Sequence, residues 1–206
     1  MFGVLDLGVG NIQSVINAFD FLGVNLERVS KEDQIAKCEG LILPGVGSFG
    51  AVIGAIKSLN LEESLLQYIY NSGNVLAICV GLQILCNESE ESAGIPGLSI
   101  IDGTIRSLKS LGCTGKLPHV GFNQVRGINF LYDELEMRSD DFYFVHSYAL
   151  AEACNVKGIA KTNYSGVDFI SAVKIFNVIG TQFHPEKSGL IGIEILKKFI
   201  VCSRKE

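Results

Sequence analysis

Residues 74–87 read NVLAICVGLQILCN. The apolar run through Ile78 has the length of a buried strand, and the spacing after Cys79 predicts a helix beginning at once over 80–87. The same strand, tight turn and helix recur through the first half of the chain. Residues 2–7 (FGVLDL) end in Gly8-Val9-Gly10, after which Ile12, Val15, Ile16, Phe19 and Leu22 fall at helical spacing, closed by Gly23. Residues 40–43 (GLIL) make another buried strand, followed by PGVGSFG and by helical stretches near 50–58 and 61–72. Residues 25–29 are too polar for the centre of a sheet and suit an edge. Parallel strands need such crossovers, so the fold class is α/β: an open, mostly parallel sheet with helices on both faces. Ligands of these sheets sit at the carboxyl ends of the strands. That selects three turns, at 8–11, 44–50 and 79–81.

From about 98 to 183 the pattern changes to short strand-like runs: SIIDGTI, FYFVHSY, VKGIAKT, DFISAVKI and NVIGTQF. Several look like hairpins, with Phe176-Asn177 as one turn, and a closing helix is expected near 188–201. This reads as an antiparallel extension of one domain spanning 1–206. No linker, repeat or low-complexity tract divides the chain.

The 206 residues are 48% hydrophobic and 19% charged, enough for a packed core without cross-links. Seventeen basic against 22 acidic residues give a net charge of −5, which argues against a surface built for nucleic acid. No apolar run approaches the ~20 residues of a membrane span, and the first residues lack the pattern of a signal peptide. The six cysteines include no C-x-x-C pair, so neither a zinc site nor a disulfide framework is expected, and a reduced, cytoplasmic protein is. No metal or cofactor is expected. Gly8-Val9-Gly10 lacks the third glycine of a dinucleotide fingerprint, and PGVGSFG lacks the lysine of a P-loop.

Cys79 is the sharpest chemical feature. A side chain on a strand-to-helix turn projects at the top of the sheet, where helix N–H groups favour a thiolate and an oxyanion. The geometry is that of a nucleophile elbow, with Ala77 at the place of the leading glycine. Taken alone, a cysteine here is more often inert and buried. His184 leaves the end of another strand, and Glu186 follows it across Pro185, which biases His184 toward extended backbone. A carboxylate beside a histidine fixes its tautomer and stabilises its cation. In isolation a surface His-Pro-Glu turn is the commoner reading. His146 reads as a partly buried structural histidine, and His119 as a loop histidine.

Together these pieces resemble a family. AICVGLQ (77–83) and QFHPEKS (182–188) are similar to the signatures of class I glutamine amidotransferases, whose fold is flavodoxin-like. DLGVGN (6–11), LPGVGSFG (43–50), PHVGFNQV (118–125) and FVHSY (144–148) narrow the likeness to glutaminase subunits of imidazole glycerol phosphate synthases, of histidine biosynthesis. The likeness runs from residue 2 to residue 201. Ala77, Leu7 and Phe122 stand where the family usually has Gly, Tyr and Trp.

The resemblance implies a Cys79-His184-Glu186 triad that hydrolyses L-glutamine. Backbone N–H groups of Val46, Gly47 and Val80 would form the oxyanion hole, and Gln83, Ser147 and Tyr148 would bind glutamine. It further implies a heterodimer with a (β/α)8-barrel cyclase subunit that receives the ammonia, with Asn11, Phe122 and Lys187 near the docking face. The alternatives are a paralogous glutaminase feeding another synthase, such as a surface-sugar amidotransferase, and a non-catalytic binding module on the same fold. A cysteine peptidase on the same elbow fits less well with His-Pro-Glu and PGVG.

Overall fold

The computed structural model describes residues 1–131 and 141–204. Its first half is β1 (Phe2–Leu5), α1 (Gln13–Phe21), β2 (Leu26–Val29), α2 (Glu32–Ile35), β3 (Gly40–Leu43), α3 (Phe49–Ser58), α4 (Glu62–Tyr70), β4 (Asn74–Ile78), α5 (Val80–Gln83) and β5 (Cys86–Ser89). The second half is β6 (Ile101–Ser107), β7 (His119–Gln124), β8 (Asp141–His146), β9 (Tyr148–Leu150), β10 (Gly158–Tyr164), β11 (Val167–Ile175), β12 (Val178–Thr181) and α6 (Gly189–Ser203).

One sheet runs β2-β1-β3-β4-β12-β11-β9-β6-β5, with β10 paired to β11. From β2 to β12 every neighbour is parallel. β1 and β3 are buried along their whole length, and so is β4 beyond Asn74, as strands covered on both faces must be. β2, buried only at its two ends, is the edge strand its polarity predicts. The register places Leu43, Ala77 and Gly180 in one row and Gly40 in the alternate row. Gly180 lies against Leu82 of α5, whereas Gly40 lies against Phe199 of α6, so helices cover both faces. Chain order reverses between β1 and β3, so the turns after these strands flank the crevice where such sheets hold ligands.

The antiparallel part continues the same sheet rather than forming an appendage. β12 is its hinge, parallel to β4 on one side and antiparallel to β11 on the other through the expected Phe176-Asn177 hairpin. Among the described residues, only β7 and β8 form a separate two-stranded sheet. The run FYFVHSY is therefore two strands. β8 belongs to the small sheet and β9 to the large one, with the break at Ser147.

The helix expected over 80–87 is a single turn ending at Gln83, and Cys86–Ser89 is a strand. The backbone hydrogen bonds give the reason. The carbonyls of Ile84, Leu85, Cys86 and Asn87 accept from Leu98, Ile100, Ser99 and Gly97, so the returning loop takes the acceptors of the next helical turn. Among the described residues no helix is long and apolar enough to cross a membrane.

Candidate active site

Cys79 follows β4 and precedes α5 with φ 49° and ψ −106°. A non-glycine residue at positive φ is strained, and such strain persists only where surrounding structure imposes it. Here the Cys79 amide is held by the Thr181 carbonyl at 2.6 Å, while its own carbonyl accepts from Gln83 N–H. Because α5 is one turn long, its dipole is small. The useful groups are its first amides, beginning with Val80 N–H, which have no acceptor within the helix.

β12 ends at Thr181 beside β4, and the chain reaches His184 three residues later. His184 Nδ1 lies 2.8 Å from Glu186 Oε1, with both side chains buried. A carboxylate only accepts, so Nδ1 carries the proton and Nε2 is left for chemistry. Nε2 is buried and has no hydrogen-bond partner among the described residues. Burial pulls the His184 pKa down, but the Cys79 sulfur and the Glu186 carboxylate outweigh it and hold it up at about 9.

Gly45 brings the two catalytic candidates together. A Cβ on Gly45 would sit 2.6 Å from Cys79 Cβ, 2.8 Å from the Ile78 carbonyl and 3.0 Å from His184 Cε1. Only a residue without a side chain lets the loop after β3 approach this closely. Val46 and Gly47 follow directly, with Gly47 at φ 90°. On its other side Val46 abuts Gly10, where any Cβ would overlap its side chain. The three turns chosen from sequence thus meet at one place.

Gln83 and Tyr148 also converge. Gln83 Nε2 donates to the Tyr148 carbonyl at 2.9 Å and to Gln182 Oε1 at 3.0 Å. Ser147 lies at the adjoining strand break, its carbonyl accepting from Leu108 N–H. His146 Nδ1 contacts the same Tyr148 carbonyl at 2.9 Å, so it too is the protonated nitrogen. Its Nε2 then accepts from His119 Nδ1 at 3.0 Å. Burial keeps both rings neutral, lowering the His146 pKa to about 3 and that of His119 to about 4. His146 is thus a structural histidine. His119 is not in a loop: it opens β7, buried and stacked between Phe144 and Tyr164.

Two of the three candidate docking residues stand together. Phe122 meets Tyr143 edge-to-face at 5.6 Å, and the Lys187 ammonium lies 5.9 Å from the same ring. Asn11 is exposed and accepts from Gln13 N–H at 2.8 Å, sharing no hydrogen bond with that pair. Tyr143, Ser188 and Gln182 carry no signal strong enough to select them from sequence. For Gln182 one hint exists, since strand alternation sets it on the side of His184. All six cysteines are free thiols, and burial pushes the Cys38 thiol up to about 11.

The model of the family described as glutamine amidotransferase class-I matches residues 3–202. The imidazole glycerol phosphate synthase subunit HisH of Methanothermobacter thermautotrophicus is 39% identical over 207 residues, covering 99% of this chain and 100% of that one. The chloroplastic imidazole glycerol phosphate synthase hisHF of Arabidopsis thaliana is 38% identical over 96% of this chain, which spans 33% of that protein. A solved structure described as a glutamine amidotransferase shares the fold, with a TM-score of 0.77 at 17% identity and 98% coverage of both chains. Sequence and fold agree, and the chain belongs to the class I glutamine amidotransferases, alongside the HisH subunits of imidazole glycerol phosphate synthases.

Proposed function

We propose that the chain is the glutaminase subunit of an imidazole glycerol phosphate synthase, working in a reducing cytoplasm. The observation that carries this reading is the convergence of Cys79 and His184 on Gly45, with His184 locked to Glu186. The full-length similarity to HisH subunits supports the choice of synthase.

In this mechanism His184 Nε2 takes the thiol proton of Cys79, and the thiolate attacks the side-chain carbonyl carbon of glutamine. The carbonyl oxygen becomes an oxyanion, held by N–H groups of Val80 and of the Val46-Gly47 turn. His184 gives its Nε2 proton to the departing nitrogen, and ammonia leaves a thioester. The now neutral imidazole takes a proton from water, whose hydroxide oxygen attacks the thioester. Collapse releases glutamate and returns Cys79. Gln83 has committed both amide protons to Tyr148 and Gln182, so its free group toward substrate is the carbonyl oxygen, an acceptor suited to an ammonium.

Ammonia released into water near neutral pH is mostly protonated and unreactive, so the product has to pass directly to an acceptor site. The partner is a (β/α)8-barrel cyclase. The outer face of β7 and β8 suits it: Phe122 is 62% exposed and Val120 56%, with Tyr143, Val145 and Lys187 beside them. Such an exposed apolar patch rimmed by a charge is typical of a docking surface. Cys79 and His184 are both buried, so admitting glutamine requires a rearrangement around them, which docking of a partner can drive.

The test is glutamate release from glutamine by the chain with and without a cyclase subunit, repeated with Cys79→Ala. The expected result is partner-dependent release, lost in Cys79→Ala, with ammonia-dependent synthesis retained by the mutant complex. Retained glutamine turnover in Cys79→Ala removes Cys79 from the mechanism. Activation only by a sugar-aminating synthase reassigns the partner.

A further inference from the structure

Two residues before His184, Gln182 is fully buried. Its Nε2 lies 3.4 Å from the Cys79 sulfur. An amide can be turned about, so its orientation has to be argued from its partners. The Tyr148 carbonyl can only accept, which makes the Gln83 atom facing it the nitrogen. That nitrogen also faces Gln182, so the Gln182 atom there is the oxygen. The remaining amide group of Gln182, the one at the sulfur, is therefore the NH2. A backbone carbonyl two links away fixes a donor on the nucleophile.

This orientation is reinforced from behind. His146 Nδ1–H shares the Tyr148 carbonyl, and His119 holds the other nitrogen of His146. Every group in the chain is buried or half-buried, so water competes little for these bonds. A donor aimed at sulfur favours the charged form and restrains the sulfur against rotation about the Cα–Cβ bond.

We propose that Gln182 is a catalytic residue whose side-chain amide donates to the Cys79 sulfur and steadies it as the attacking anion. It rests on the reading of Cys79 as nucleophile. The role differs from that of His184, which exchanges protons, and from that of the 45–47 loop, which serves the substrate oxygen.

Alkylation of the full chain by iodoacetamide, followed at the Cys79 peptide by mass spectrometry across pH, tests it without needing turnover. Gln182→Met removes the donor with little change in volume. Gln182→Glu keeps the oxygen that receives the Gln83 proton and removes the donor to sulfur. In both, the alkylation rate at neutral pH is expected to fall roughly tenfold relative to wild type, as for loss of one hydrogen bond to a charged group. A folded variant with the wild-type profile overturns the proposal and leaves a purely structural link to Gln83. If neither variant folds, the Gln182 side-chain amide signal in wild type decides by nuclear magnetic resonance. It is expected to move when Cys79→Ala removes the acceptor, and a signal indifferent to Cys79 overturns the proposal. With the cyclase subunit docked, a wild-type Cys79 no more reactive than an unfolded thiol defeats the nucleophile reading itself.

Discussion

The amide of His184 donates to the carbonyl of Tyr143 at 2.9 Å. The backbone of His184 is thus hung from β8, the strand that also carries the exposed face. Ser188 closes the clasp, its hydroxyl accepting from Tyr143 N–H at 3.0 Å and donating to the His184 carbonyl at 2.6 Å. Ser188→Ala leaves the partly buried Tyr143 N–H without its acceptor, while the His184 carbonyl keeps only Lys187 N–H, at a cost of about 1–3 kcal/mol. Urea unfolding measures that cost. Glutaminase activity is expected to fall as well, because the backbone that positions His184 loosens.

Phe122 presents its ring to solvent and braces Tyr143 from the outer side. Aromatic residues at the centre of an interface commonly contribute about 2 kcal/mol or more. Phe122→Ala is expected to weaken binding of the cyclase subunit roughly thirtyfold, read by titration calorimetry. Phe122→Asp is expected to weaken it further. Unchanged affinity in both variants moves the docking face elsewhere.

His119 and His146 give the fold an acid limit. Each has a folded-state pKa below the ordinary value of 6.5, at about 4 and about 3. The unfolded chain binds protons there that the folded chain refuses, so stability is lost as pH falls from about 6.5 toward 3. His184, raised to about 9, works in the opposite sense. Its contribution is complete below about 6.5 and is lost as pH rises through 9. Denaturant unfolding across pH is expected to show greatest stability near pH 6.5. Imidazole proton resonances are expected to show His184 titrating on the alkaline side and the other two unprotonated down to pH 5.

Glu186 is the source of that upward pull which a substitution removes most cleanly. In Glu186→Gln the imidazole keeps a hydrogen-bond partner and loses its counter-charge. The pKa of His184 is expected to fall, and the activity carried by the imidazolium with it, by roughly 10²–10⁴-fold in kcat/KM. The alkaline limb of the stability profile is expected to flatten in the same variant. A flat activity ratio with a shifted resonance would separate orientation from charge.

The parallel half of the fold was legible because its strands are continuous apolar runs bounded by glycine turns, and periodicity is a local property. The candidate residues Cys79 and His184 stood out because each follows the end of such a run. The one-turn helix after Cys79 was not, since VGLQILC suits a buried helix as well as a turn and a strand. The Leu98–Ile100 loop decides between them, and it lies a dozen residues away. The burial of His119 was hidden for a related reason. Its neighbours Phe144, Tyr164 and His146 come from strands that no spacing in the sequence pairs with it. Gln182 escaped notice because its role depends on an amide orientation set by two further residues.

Gly45 offers the sharpest steric test of the site. Alanine there would place its Cβ 2.6 Å from Cys79 Cβ and 2.8 Å from the Ile78 carbonyl. Backbone of a central strand cannot yield as a side-chain end would, so the 45–47 loop has to shift away from Cys79 and His184. Overpacking of this kind costs about 1–3 kcal/mol. The loss of activity is expected to be larger than that cost implies, because the same shift withdraws the loop amides from the oxyanion, at roughly 10²–10³-fold in rate. Gly54 supplies the control. It lies within α3 with nothing near the position of a Cβ, so Gly54→Ala is expected to stabilise the fold by about 0.5–1 kcal/mol and leave activity unchanged. Thermal unfolding and glutamate release measured on both variants separate the two effects. Wild-type turnover in Gly45→Ala would mean that the close approach of this loop to Cys79 is not part of catalysis.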